Sequence, residues 1–63
     1  MNKLTENFEK IEKLIENAKI DMTKFVEKGN SAAGTRVRKF MQELKNLAQE
    51  VRIDIQNVKN GNE

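Results

Sequence analysis

Apolar residues recur along the first part of the chain at Leu4, Phe8, Ile11, Ile15, Ala18, Met22 and Phe25. The spacings alternate 4, 3, 4, 3, 4, 3. That is an a/d heptad stripe, which an α-helix presents on one face and a β-strand cannot produce. Leu14 and Val26 flank the stripe and widen it, while Ile20 falls on the opposite face. The predicted helix runs from about residue 3 to 28, with Asn2 or Thr5 as its N-terminal cap.

The pattern then breaks at Glu27-Lys28-Gly29-Asn30-Ser31. Gly29 suits the left-handed residue that ends a helix, and Asn30 or Ser31 suits the N-cap of the next. Lys28 complements the carbonyl end of the first helix dipole. The reading is two helices joined by a tight turn at 29–30. One continuous helix of about 55 residues is the alternative, because a lone Gly within a helix costs only ~1 kcal/mol.

A second stripe follows at Ala33, Val37, Phe40, Leu44, Leu47 and Val51. Met41, Ala48 and Ile55 form a ridge beside it, and Val58 closes the row. Asp54 occupies a slot that the heptad would fill with an apolar residue, so the seam is expected to shift by about one residue there. The second helix is predicted over about 31–59, and the tail 60–63 is expected to fray.

These elements make an all-α protein: a single domain, residues 1–63, folded as an antiparallel helical hairpin of coiled-coil character. Two helices alone cover only part of each stripe, and small scaffolds without staples gain their missing core by association. A homodimer is expected, two hairpins forming a four-helix bundle. Phe8, Phe25 and Phe40 are read as core.

Composition narrows the chemistry. The chain has 63 residues and no Cys, His, Trp, Tyr or Pro. It therefore cannot build a zinc site, a Cys nucleophile or a histidine acid–base pair. No cofactor motif is present: residues 29–34 contain glycine but lack the Lys-Ser/Thr of a phosphate-binding loop. Glu12 and Glu16 make an i,i+4 carboxylate pair, but Lys10, Lys13 and Lys19 surround it and disfavour a metal. An enzyme, a cofactor, a metal and a small-molecule substrate are not expected. No apolar run is long enough to span a bilayer, and charges interrupt the N-terminal stretch where a signal peptide would lie. The expected compartment is the cytoplasm.

Total charge is only +2, so its distribution decides what it means. Residues 1–27 balance five lysines against six acids, with helical pairs such as Glu6–Lys10 and Glu9–Lys13. Residues 28–42 contain Lys28, Arg36, Arg38 and Lys39 and no acid. Ser31 and Thr35 add hydroxyl donors there, the small Gly29, Ala32, Ala33 and Gly34 permit close approach, and the second helix begins with free N–H groups. Arg38, Lys45, Arg52 and Lys59 recur every seven residues along one stripe, ~10.5 Å apart. Both features suit phosphate oxygens.

The run Lys28-Gly29-Asn30-Ser31-Ala32-Ala33-Gly34-Thr35-Arg36-Val37-Arg38-Lys39, followed by Glu43-Leu44 and Leu47-Ala48, resembles the bacterial linker-histone-like family. These are the histone-like nucleoid proteins of chlamydiae and Bacteroidetes. The family's KGN-x-AA-x-x-R-x-R hallmark falls on Lys28, Gly29, Asn30, Ala32, Ala33, Arg36 and Arg38. The resemblance implies binding to double-stranded DNA and condensation of the chromosome without marked base specificity. Strongly condensing members carry a long Lys/Ala-rich tail, so the chain is expected to be of the short, tail-less type.

The function read from the sequence is that of a DNA-binding architectural protein, localised to the nucleoid. Lys28, Arg36, Arg38, Lys39, Lys45 and Arg52 are the candidate DNA-binding residues. The alternative is a protein-interaction module without nucleic-acid binding, for which exposed Ile20 and Ile53 would be the docking residues.

Overall fold

The computed structural model describes residues 3–61. Asn2 as a cap, and Asn62 and Glu63 of the tail, lie outside them. The described residues form two helices and no strand, α1 over Lys3–Lys28 and α2 over Ser31–Lys59. They pack against each other as an antiparallel hairpin. Its Cα trace measures 49 × 18 × 11 Å, a single layer of helices.

The turn is set by two residues. Gly29 takes φ 63°, which only glycine adopts without a Cβ penalty. Its N–H donates to Phe25 O at 3.1 Å, and the Asn30 N–H donates to Lys24 O at 3.4 Å. Asn30 then leaves the left-handed region for extended backbone, and its side-chain oxygen accepts from the Ala33 N–H at 3.0 Å. One residue ends α1 and the next begins α2. At the far end, Asn60 and Gly61 close α2 with N–H bonds to Gln56 O and Val58 O.

The seam between the helices only partly follows the expected stripe. On α2 it does: Ala33 and Val37 are buried, and Phe40, Leu44, Leu47 and Val51 are half-buried. On α1 the residues facing α2 are Leu4, Asn7, Ile11, Leu14, Ala18 and Asp21. Phe8, Ile15, Met22 and Phe25, expected in the seam, are exposed; Phe8 leaves 60% of its surface in solvent. The hairpin contact is rotated by one heptad position from the centre of the apolar stripe. Two polar residues, Asn7 and Asp21, therefore take seam positions in place of two large apolar ones. Phe8 and Phe25 are not core, and Phe40 is half-buried. The Phe25 ring instead lies across Gly34, where an added Cβ would stand 2.6 Å from Phe25 Cδ1.

Asp54 does not displace the seam either. It stays in register, half-buried, because Asn7 opposes it and donates Nδ2–H to Asp54 Oδ2 at 3.3 Å. Lys3 adds a long ion pair at 3.9 Å. A polar pair satisfies the slot that hydrophobicity alone would have vacated.

Candidate nucleic-acid interface

The turn end is where the sequence concentrates positive charge, and the fold modifies that concentration in three ways. First, it brings an acid into the acid-free window. Asp21 on α1 faces Arg36 on α2, and the guanidinium donates Nε–H to Oδ2 at 3.0 Å and Nη2–H to Oδ1 at 2.9 Å. The Asp21 side chain is 10% exposed and that of Arg36 47%. The hydrogen bond from Arg36 holds the Asp21 carboxyl below the usual carboxylate range; burial opposes this, and the charges of Arg36 and Lys24 reinforce it. The same contact raises Arg36 above its ordinary value. Arg36 is thus a forked bridge between the helices.

Second, some of the donors expected for phosphate are already used. Asn30 Oδ1 takes the Ala33 N–H, Asn30 O takes the Gly34 N–H, and Thr35 Oγ1 donates to Ser31 O at 3.3 Å. Third, the six candidate cations do not form one cluster. Lys28, Arg38, Lys39, Lys45 and Arg52 are all exposed. Lys28 is the last residue of α1 and continues the stripe of Asn7, Leu14 and Asp21. Arg38, Lys45 and Arg52 share the outer edge of α2 beside Met41, Ala48 and Ile55. Lys39 lies on the outer side of α2, away from that edge. Lys28, Arg38 and Lys39 ring the turn end, whereas Lys45 and Arg52 extend down one edge.

Sequence reasoning missed Asp21 and Lys24 as members of this site. Nothing local marked Asp21, because its column of Asn7, Leu14 and Asp21 lies beside the apolar stripe, and only the fold turns that column toward α2. Among the described residues no group of acidic side chains is placed to hold a metal ion, and no helix is long and apolar enough to cross a membrane.

The described residues thus form a single layer of two helices with exposed lysine and arginine about its bend. The chain matches the family model for histone H1-like protein Hc1 over residues 5–61, and it belongs to that family. The family is one of DNA-binding nucleoid proteins rather than of enzymes. No curated protein and no solved structure matches the chain.

Proposed function

We propose that the chain is a non-sequence-specific, DNA-binding architectural protein of the bacterial nucleoid, acting as a homodimer. Membership of the histone H1-like family carries the reading. The exposed cations Lys28, Arg38 and Lys39 at the turn end support it, because they outnumber the one exposed acid beside the turn, Glu27, and no acid of α2 precedes Glu43. Lys28, Arg38 and Lys39 would meet phosphate oxygens. Lys45 and Arg52, ~10 and ~21 Å beyond Arg38 along α2, would extend the contact in a lone hairpin. Arg36 contributes less than its charge suggests, since Asp21 neutralises it across a bidentate contact.

Such binding is driven by counterion release and reads backbone rather than bases. Two turn ends per dimer supply about six cations, so log K should fall with log salt at a slope near −5. The test is a mobility-shift titration over a salt series on two duplexes of equal length and unrelated sequence. Equal affinity for both is expected, with Arg38→Glu plus Lys39→Glu reducing both the affinity and the slope. Absence of binding at low salt, or indifference to that pair of substitutions, overturns the reading. The protein-interaction alternative gains nothing from Ile20 and Ile53. Both are exposed, but Ile20 is near the turn and Ile53 near the chain termini, and they make no common patch.

A further inference from the structure

The apolar stripe of α1 is divided by the hairpin. Leu4, Ile11 and Ala18 turn toward α2, while Phe8, Ile15 and Met22 are left outside. On α2 the ridge of Met41, Ala48 and Ile55 is left outside too. The two ridges lie on the same face of the layer: Ile15 and Met22 share a groove with Met41, and Phe8 shares another with Ile55. A domain needs two packed layers, and this one has a single layer with one apolar face. Its accessible surface is 5104 Å² for 7.3 kDa. A compact monomer of that mass exposes about 4,200 Å². The excess, about 900 Å², is close to the ~800 Å² that one partner contributes to a standard interface.

The borders of this face differ in charge. The α2 border is Arg38, Lys45 and Arg52. The α1 border carries Glu12, with Glu9 and Glu16 one stripe further out, and Lys19 nearer the turn. Position along the rod follows from the two cross-helix pairs, Asp21 with Arg36 and Asn7 with Asp54. By interpolation Lys45 stands level with Leu14, between Glu12 and Glu16, and Arg52 stands level with Glu9.

We infer that a second copy of the chain covers this face with its turn at the same end, each α2 lying across the partner's α1, so that Lys45 and Arg52 pair with the partner's Glu9, Glu12 and Glu16. The reverse arrangement, turns at opposite ends, lays α2 on α2 and sets Arg38, Lys45 and Arg52 against the same row of like charges. Arg38 comes level with Lys19 and finds no carboxylate, so it stays with Lys28 and Lys39. Both turns then form one cationic end. The inference rests on the homodimer proposed above and adds its orientation.

The chain has no cysteine, so a single Glu27→Cys variant takes one spin label per chain, on an exposed residue beside the turn. The expected result is a two-chain mass by light scattering and a label–label distance below roughly 35 Å, since helices in a bundle lie 8–10 Å apart. A distance near the 49 Å length of the hairpin overturns the orientation and leaves the dimer standing. A one-chain mass at millimolar concentration overturns both, without touching DNA binding, which the mobility-shift titration tests separately. Lys45→Gln with Arg52→Gln gives the sign independently of any label. Loss of the ion pairs should weaken the dimer several-fold, and tightening would show the row facing itself.

Discussion

The turn half and the terminal half of the hairpin use the same kind of device to different effect. Near the turn, Asp21 and Arg36 make two short charge-assisted bonds, and the four buried apolar side chains, Leu14, Ala18, Ala33 and Val37, lie between the turn and the middle of the rod, on both sides of that pair. Near the termini, Asn7 and Asp54 make one longer bond, and the apolar neighbours Leu4, Ile11, Leu47 and Val51 are only half-buried. The difference is one of side-chain size. Ala18, Ala33 and Gly34 are small and lie beside the turn, where the Phe25 ring comes against Gly34, whereas the larger Leu4, Leu47 and Val51 line the terminal half. Hairpin stability is therefore graded along the rod, firm where two residues join the helices and weak where the chain ends.

The largest effect expected from this gradient comes from a buried charge. Val37→Asp, placing an unpaired carboxylate in the firm half, should cost about 3 kcal/mol or more and unfold the chain by circular dichroism. Val51→Asp, in the half-buried region, should leave it folded. Equal losses at the two sites would remove the gradient. Next is the turn itself: Gly29→Ala imposes a left-handed conformation on a residue with a Cβ and should cost about 1–2 kcal/mol in urea denaturation.

Acid titration separates the two polar layers. A carboxylate whose folded pKa is depressed adds stability that is present above its unfolded pKa, near 4, and is lost as pH falls through the lower folded value. Asp21 is such a group. Stability should therefore decline below about pH 4, and Asp21→Asn should flatten that part of the profile. A variant as acid-sensitive as the native chain would show that the ion pair contributes nothing. The smallest effect belongs to the terminal layer. Asn7→Leu with Asp54→Leu removes both partners at once and should change stability by less than about 1 kcal/mol, in either direction.

Much of the fold was legible in the sequence, because period and punctuation carry it. The alternation of 3 and 4, Gly29 and the Asn30 cap determine two helices and a bend. The α2 seam could be read off as far as Val51, where stripe and contact coincide, but the shift expected at Asp54 does not occur because Asn7 pairs with it across the seam. The α1 seam could not. Its stripe is wide enough for two neighbours, and nothing local says which half the intrachain neighbour takes. The same ambiguity hid Asp21, whose partner is fifteen residues away. The cations were legible as residue types, but which of them share an edge depends on helix rotation, and that is settled only when the chain folds back.

The slab-like shape has a consequence for stoichiometry on DNA. A duplex advances 3.4 Å per base pair. A hairpin lying lengthwise would occlude about 14 base pairs over its 49 Å, whereas one standing on its bend would occlude about five over its 18 Å breadth. The number of chains that saturate a fragment of known length thus reports whether the rod lies along the double helix or projects from it like a tooth from a comb.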